Sequence, residues 1–333
     1  MRITILLGCL LFCFSAFSQK VTKVSHVAYT VSDTDQAVDF LKKNVNAKYN
    51  ASKEISGTEL QKLFGINDPG LSLKITSLHI GSDELRLLEF NSKLEARPIP
   101  HESRSNDLWF QHIAIVVDDM DKAYKQVRAN KVEHVSTAPQ TLPDYIPAAA
   151  GIAAFYFRDL DDHNLELIYF PEGKGNPKWK TSTENTFLGI DHTAIGIGDT
   201  DVSLKFYENT LGLKLAGNSE NYGTEQEHLN QVFGARLWIS GLVAPEGFGV
   251  EFLEYIAPPG GKFYPENSTA LDHWYWHTAM NVDNLPALLE KIKQANYTVV
   301  SDGIVSMKEI GYDKAVVVRD PDGHAVLLVE PQK

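Results

Sequence analysis

Apolar and polar residues alternate with a period of two in several short runs of this chain, which is the pattern of half-buried strands. Four of these runs contain a histidine that is followed two positions later by an alanine. The histidines stand about 80 to 86 residues apart, at His26, His112, His192 and His277. A regular spacing of this kind indicates four copies of one structural unit.

A helix is predicted after each histidine strand. An Asp- or Asn-rich turn that can cap a helix follows the strand in every unit, at residues 32–35, 118–119, 199–201 and 283–284. In the first unit the apolar residues Ala37, Leu41 and Val45 then recur at the spacing of one helix face. Each unit therefore begins with a strand and a helix.

The rest of each unit is rich in β-type runs. These lie at residues 71–80 and 85–90, 153–157 and 165–170, 235–239 and 250–255, and 315–318 and 325–329. The order of elements is strand, helix, then two or three strands, a βαβββ unit. Phe-Gly pairs occur only in units one and three and Arg-Asp pairs only in units two and four, so the repeat is a duplicated pair of units.

The first residues differ from the rest. Arg2 precedes an almost wholly apolar run, and Ala16-Phe17-Ser18 fits a small-x-small cleavage site, so residues 1–18 are predicted to be a signal peptide. A lipoprotein cleavage box ending at Cys9 is the less favoured alternative. Both cysteines, Cys9 and Cys13, fall in this segment, and the predicted mature chain has no thiol. We expect a periplasmic or secreted protein.

The two predicted domains of the mature chain are residues 19–171 and residues 188–333, each with two units. Residues 172–187 have the Pro, Gly, Lys, Ser and Thr composition of a linker. The full chain has a net charge of −12, which disfavours nucleic acids and anionic membranes as partners. A small-molecule substrate is the expected partner, no membrane association is expected after signal cleavage, and the sequence leaves the oligomeric state open.

The order of elements and several motifs resemble the vicinal oxygen chelate superfamily, which includes glyoxalase I, extradiol dioxygenases and bleomycin-resistance proteins. Unit three is similar to the glyoxalase pattern in its strand from His192 to Ile197, in Phe206-Tyr207 and in Leu211-Gly212-Leu213. Unit four ends in the similar turn Asp320-Pro321-Asp322-Gly323-His324. The resemblance implies an α+β fold in which four βαβββ modules pair into two half-open β-barrel, glyoxalase-like domains.

The resemblance also implies a ligand place on the last strand of each module, four residues after the turn. Glu166 holds this place in module two, and Leu327 holds it in module four. An alignment of the last strands of the odd modules puts Arg86 and Glu251 there. On that alignment, alternation points Glu89 and Glu254 to the opposite face of the sheet.

If modules adjacent in sequence pair, the first barrel holds His26, His112 and Glu166 with Arg86 opposite. The second then holds His192, Glu251 and His277 with Leu327 opposite, and we favour it as the metal site because no positive charge faces it. Two imidazoles and one carboxylate suit a divalent metal ion such as Fe, Mn or Zn. Arg86 either pairs with Glu166 and abolishes the first site, or binds an anionic group of the substrate.

The predicted function is that of an exported metal-dependent enzyme, a lyase, isomerase or dioxygenase, that binds a small oxygenated substrate through two oxygens on the metal. The alternative is a non-catalytic binding protein of the bleomycin-resistance type, with the histidines as core residues. No catalytic group is identified, and the candidates for proton transfer are His228, Tyr255, Tyr275 and Tyr312. Surface or capping roles are predicted for His163 and His324, and packing roles for Trp274 and Trp276.

Overall fold

The computed structural model describes residues 20–180 and 184–333. The predicted signal peptide and part of the predicted linker lie outside these residues. No helix in the described ranges is long and apolar enough to cross a membrane.

Each predicted module forms a strand and a helix followed by further strands. Module one consists of β1 (Val21–Thr30), α1 (Thr34–Val45), β2 (Lys48–Ser56), α2 (Thr58–Phe64), β3 (Ser72–Ile80) and β4 (Asp83–Asn91). Module two consists of β5 (Gln111–Val117), α3 (Met120–Ala129), β6 (Glu133–His134), β7 (Gln140–Thr141), β8 (Ala153–Arg158) and β9 (Asn164–Tyr169). A 3-10 turn, Pro177–Lys180, follows in the segment between the halves.

The second half repeats this order. Module three consists of β10 (Phe187–Ile197), α4 (Thr200–Leu204) continued by a π-helix (Lys205–Thr210), β11 (Lys214–Tyr222), α5 (Thr224–Asn230), β12 (Arg236–Val243), β13 (Glu246–Gly247) and β14 (Gly249–Ala257). Module four consists of β15 (Trp276–Val282), α6 (Leu285–Gln294), β16 (Val305–Met307), a 3-10 turn (Lys308–Ile310), β17 (Tyr312–Arg319) and β18 (Ala325–Pro331).

Each first helix of a module begins at the Asp- or Asn-rich turn that the sequence analysis identified. Asp33, Asp119, Asp199 and Asn284 are the N-caps, and each side chain accepts a backbone N–H of the first helical turn. Glu89 and Glu254 point away from the barrel interiors, as alternation predicted. A carboxylate oxygen of each accepts both the backbone N–H and the hydroxyl of a helix-start threonine, Thr34 or Thr200. Each last strand is thereby tied to the helix of its own module.

The modules pair differently from the prediction. Within the described residues one curled sheet contains β1 to β4 with β15 to β18, and the other contains β5 to β9 with β10 to β14, apart from β13, which pairs with β1. We call the barrel of modules one and four the outer barrel and that of modules two and three the inner barrel. The prediction that modules adjacent in each half form a barrel is wrong. The division of the chain at residues 172–187 itself stays a prediction.

The helices and the strands connect the modules in different combinations. Helix α1 contacts α3, and α6 contacts the π-helix of module three, so helices pack within each half of the chain. The sheets pair across the halves instead. A large apolar core shared by both sheets and the helices includes Val27, Leu41, Ile113, Ile195 and Leu288. The interiors of the two barrels have separate cores.

Candidate functional site: a buried cluster of imidazoles and carboxylates

The strand register confirms that the four ligand-place residues are equivalent. In each module the first strand runs parallel to the last strand, and the alanine two positions after the histidine lies opposite the ligand place. The pairs are Ala28 with Arg86, Ala114 with Glu166, Ala194 with Glu251, and Ala279 with Leu327. Period-two alternation directs each histidine and each ligand-place side chain to the barrel interior.

The inner barrel brings two imidazoles and two carboxylates together. Strands β5 and β10 are antiparallel neighbours, with His112 opposite Ala194 and His192 opposite Ala114. Nε2 of His112 lies 3.0 Å from Oε2 of Glu166. Nε2 of His192 lies 3.7 Å from the same oxygen and 3.5 Å from Oε1 of Glu251. Donor atoms of His112, Glu166 and His192 therefore converge, and Glu251 lies beside them next to His192.

The two three-ligand sets predicted from the sequence are thus wrong in their grouping. His26 and His277 lie in the outer barrel with Arg86, whereas His112, Glu166, His192 and Glu251 share the inner barrel. The grouping failed because it assumed pairing in chain order. Metal ligation by the inner-barrel residues stays a prediction, now with four candidate ligands in place of three.

The chemistry of the cluster fits a divalent cation. His112 Nε2, Glu166 Oε2 and His192 Nε2 are buried and have no hydrogen-bond partner within the described residues. A buried polar atom without a partner costs about 1–3 kcal/mol, so three at one point call for a bound group. Imidazole nitrogens and carboxylate oxygens are the donors that Zn, Fe and Mn accept. His112, Glu166 and His192 each place one donor atom within 4.8 Å of the others.

The electrostatics of the cluster favour a positive charge at this point. Burial disfavours the imidazolium of His192, but the carboxylates of Glu251, Asp191 and Glu166 outweigh burial and raise its pKa to about 10. Burial raises the pKa of Glu251, and the neighbouring Glu166 carboxylate raises it further. These carboxylates make the inner barrel a negative site.

The equivalent place in the outer barrel is filled by a guanidinium. Arg86 donates from Nε to Glu84 at 2.8 Å and from Nη1 to the hydroxyl of Tyr312 at 2.5 Å. The Tyr312 hydroxyl lies 3.2 Å from Nε2 of His26. The predicted alternative that Arg86 pairs with Glu166 is wrong, because the two residues lie in different sheets. Its role in binding an anionic substrate group stays a prediction.

The outer-barrel histidines have opposite electrostatics. Burial, with Arg86 as the second cause, lowers the pKa of His277 to about 3, and the same two causes lower the pKa of His26. Leu327 supplies no donor atom. The interior around them is apolar and includes Phe64, Leu88 and Leu327. The outer barrel therefore holds two neutral imidazoles beside a fixed positive charge.

The candidates for proton transfer divide between the two barrels. The hydroxyl of Tyr255 accepts from Nδ2 of Asn230 at 2.8 Å inside the inner barrel. Tyr275 and Tyr312 contact histidines of the outer barrel, and His228 is exposed on α5. Tyr156 was not singled out from the sequence, yet its ring lies 4.8 Å from that of His112. Alternation on β8 could have indicated its inward position.

The turn histidines are buried rather than at the surface. Nδ1 of His163 lies 2.9 Å from Asp159, and Nδ1 of His324 lies 3.0 Å from Asp320. The same aspartates accept backbone N–H groups of their turns, so the predicted capping role describes these pairs. Trp274 and Trp276 are buried. Trp274 donates from Nε1 to Ser268 at 3.0 Å, and the ring of Trp276 stacks on Tyr29 at 4.8 Å.

A cavity of about 260 Å³ opens beside the cluster. His192 and Glu251 line it, together with Asn176 and Lys178 from the segment between the halves and backbone of the glycine-rich strand ends, including Gly241 and Gly249. Because glycines leave backbone groups accessible, the wall offers polar groups as well as a lysine. A small oxygen-rich molecule can reach the cluster from this side.

The comparisons with known proteins agree with this geometry. A family model described as Glyoxalase/Bleomycin resistance protein/Dioxygenase superfamily matches residues 23–167 and 189–328. A 2-epi-5-epi-valiolone epimerase of Actinomyces sp is 33% identical over 153 residues, which is 45% of this chain and 80% of that protein. A lactoylglutathione lyase of Salmonella typhimurium is 30% identical over 139 residues, which is 42% of this chain and 90% of that protein.

A solved structure shares the fold over nearly the whole chain. Glyoxalase I from Zea mays superposes with a TM-score of 0.61 at 17% identity, covering 93% of this chain and 92% of that one. The predicted fold class is confirmed. The names of the relatives, an epimerase and a lyase, bear out the prediction of a glyoxalase-like enzyme. With the family model matched across both halves, the chain belongs to the Glyoxalase/Bleomycin resistance protein/Dioxygenase superfamily.

Proposed function

We propose that the protein is a metal-dependent isomerase or epimerase that moves a proton at a carbon next to a carbonyl group in a small oxygenated substrate. The observation that supports this most directly is the pair of carboxylates, Glu166 and Glu251, around the two imidazoles of the inner barrel. A metal site for oxygen activation commonly uses two histidines and one carboxylate with open positions. The second carboxylate favours proton transfer instead.

His112, Glu166 and His192 would hold the metal, and the carboxylate of Glu251 lies beside them. A divalent cation held there would polarise a carbonyl oxygen of the substrate and so make the C–H bond of the carbon next to that carbonyl more acidic. Glu251 lines the cavity, whereas Glu166 is almost fully enclosed, with a side chain 5% exposed. Glu251 is therefore the carboxylate that can reach a substrate carbon and accept its proton at Oε1.

The raised pKa of Glu251 suits this role. A carboxylate whose pKa is raised by burial holds a proton more firmly than one in water and can return it to the substrate. The enclosed walls around His112 and Tyr156 keep water away from the reacting carbon. These features support reversible proton transfer.

The substrate class follows from the cavity. Its volume of about 260 Å³ and its lining by Asn176 and Lys178 suit a compact polyhydroxylated ketone or a small hydroxy acid. The epimerase relative is named for 2-epi-5-epi-valiolone, and the lyase relative is named for lactoylglutathione. We favour the smaller substrate, because a tripeptide adduct needs a much longer binding surface.

The outer barrel is proposed to have a structural role. The guanidinium of Arg86 occupies the ligand place and would repel a divalent cation. The neutral imidazoles of His26 and His277 already have hydroxyl partners, Ser25 and Tyr312 for the first and Tyr275 for the second. The charge that a metal would supply in the inner barrel is thus supplied here by a side chain.

We also propose that the enzyme acts outside the cytoplasm, on the basis of the sequence of residues 1–18. Expression of the full chain in a Gram-negative host should yield a shortened protein in the periplasmic fraction or the medium. Mass spectrometry of its N-terminus should place the start after Ser18. A full-length cytoplasmic product would contradict export.

One divalent ion should bind per chain. Elemental analysis after reconstitution with Zn²⁺ or Mn²⁺ measures this stoichiometry. His112→Ala should lower metal affinity by more than about 100-fold, because it removes a candidate ligand. The matched control is His26→Ala in the outer barrel, which should keep one ion per chain. Two ions per chain, or loss of the ion in His26→Ala, would show that the assignment of the barrels is wrong.

His277 should make folding sensitive to acid. Its pKa is about 3 when folded and about 6.5 when unfolded, so only the unfolded chain binds the proton between these values. Stability is then lost as pH falls through this range, by up to about 1.4 kcal/mol per pH unit. Urea unfolding of the metal-free protein measures this effect. Between pH 7 and pH 5 the free energy of unfolding should fall less in His277→Asn than in the wild type. His228→Asn, at an exposed histidine, serves as the control. If the free energy of unfolding depends on pH identically in the wild type and in His277→Asn, the effect is refuted.

Glu251→Gln should abolish proton transfer while leaving the fold intact. Exchange of the substrate carbon-bound hydrogen with deuterated water, followed by NMR on a polyhydroxylated ketone, should slow by about 100- to 10,000-fold. Glu84→Gln is a matched control, because its side chain is 24% exposed, as is that of Glu251, but lies in the outer barrel. Unchanged exchange in Glu251→Gln would exclude this residue as the base. Turnover of the glutathione hemithioacetal of methylglyoxal alone would support the lyase instead.

A further inference from the structure

Asp191 stands immediately before the strand histidine of module three and contacts its ring. Oδ2 of Asp191 lies 3.1 Å from Nδ1 of His192. The other ring nitrogen, Nε2, points toward Glu166 and Glu251. A carboxylate on Nδ1 accepts the proton of that nitrogen and leaves the lone pair of Nε2 free to bind a metal.

The other three repeat histidines lack this arrangement. Nδ1 of His26 contacts the hydroxyl of Ser25, and Nδ1 of His277 contacts the hydroxyl of Tyr275, both at 3.2 Å. Nδ1 of His112 is buried without a partner in the part of the chain that the structure describes. Among these four imidazoles, only that of His192 has a carboxylate on Nδ1 within the described ranges. This carboxylate, that of Asp191, lies in the inner barrel, which also contains the candidate metal ligands.

Asp191 is itself held by a tryptophan from the segment between the halves. Nε1 of Trp179 donates to Oδ1 of Asp191 at 2.6 Å. The indole fits closely against the start of β10, because a Cβ at Gly189 would lie 2.8 Å from Cη2 of Trp179. It also packs beside an apolar cluster that includes Phe170. Both oxygens of Asp191 thus have fixed partners.

We infer that Asp191 and Trp179 are positioning residues that fix the ring orientation and the tautomer of His192, so that Trp179, which lies in the segment predicted to be a linker, supports the metal site. This inference rests on the proposed function, since it needs a metal at His112, Glu166 and His192. Trp179 orients Asp191, Asp191 orients His192, and His192 presents Nε2 to the metal. Neither positioning residue touches the substrate.

The inference predicts a graded loss of metal affinity. Competition of the full chain with a chromogenic chelator for Zn²⁺ should give an affinity about 10- to 100-fold lower for Asp191→Ala, the range typical when the orienting partner of a metal-binding histidine is removed. Trp179→Phe keeps the ring but removes the donor, and its affinity should fall by a smaller factor. The absorption spectrum of the Co²⁺-loaded protein should shift in both variants.

Trp109→Phe is the matched control. Trp109 is also buried and donates from Nε1 to a side chain at 3.0 Å, but its acceptor is Ser103 and not the carboxylate that contacts His192. Trp109→Phe should leave both the affinity for Zn²⁺ and the absorption spectrum of the Co²⁺-loaded protein unchanged. A merely structural role for Trp179 would lower thermal stability of the metal-free protein by as much as Trp109→Phe does, without changing either metal readout.

The outcomes separate this inference from the proposed function. If the wild-type chain binds no Zn²⁺ or Co²⁺, the proposed metal site is wrong and the positioning role falls with it. If the wild type binds metal and Asp191→Ala and Trp179→Phe bind it equally well with unchanged spectra, the positioning role alone is refuted. If metal-free Asp191→Ala does not fold, the Zn²⁺ affinity and the Co²⁺ spectrum of Trp179→Phe decide whether the positioning role holds.

Discussion

The antiparallel pairing of β5 with β10 is the contact on which the candidate site depends. It places His112 and His192 on neighbouring strands, each flanked on its outer side by the parallel last strand of its own module. The register puts Glu166 in line with Ala114 and His192, and Glu251 in line with Ala194 and His112, so the four side chains enter the barrel from two adjacent levels. A shift of one residue in any of these pairings would turn one ligand outward.

The same register gives opposite chemistry in the two barrels. Where the inner barrel has Glu166 and Glu251, the outer barrel has Arg86 and Leu327 at equivalent positions. Burial acts against the imidazolium of His192, but Glu251, Asp191 and Glu166 outweigh it and raise the pKa to about 10, whereas burial, with Arg86 as the second cause, lowers the pKa of His277 to about 3. The duplicated scaffold therefore gathers two carboxylates around the imidazoles of one barrel and places a guanidinium beside the imidazoles of the other. The arrangement in the inner barrel suits the binding of a cation, and the arrangement in the outer barrel suits packing around the guanidinium of Arg86.

Local patterns in the sequence predicted most of the elements but not their partners. The caps at Asp33, Asp119, Asp199 and Asn284 and the alternation of the core strands are local signals, and the structure contains the elements that they indicate. Strands β2 and β11 were not predicted, because they are mostly exposed and lack apolar alternation. Which module pairs with which depends on contacts between distant residues. The sequence did contain a signal, since only pairing modules two and three puts both carboxylates with two histidines.

The covalent order of the modules explains why the segment between the halves lies at the inner barrel. Modules two and three share a sheet and are consecutive in the chain, and β10 begins at the same end of β5 at which β9 ends, so the connection joins β9 to β10 at one end of that sheet. On this path it passes the cavity and places Lys178 in its wall and Trp179 beside Asp191. Modules one and four share a sheet without a direct connection. The segment between the halves is instead followed directly by β10, so Trp179 lies close enough to bond Asp191 at the position before His192.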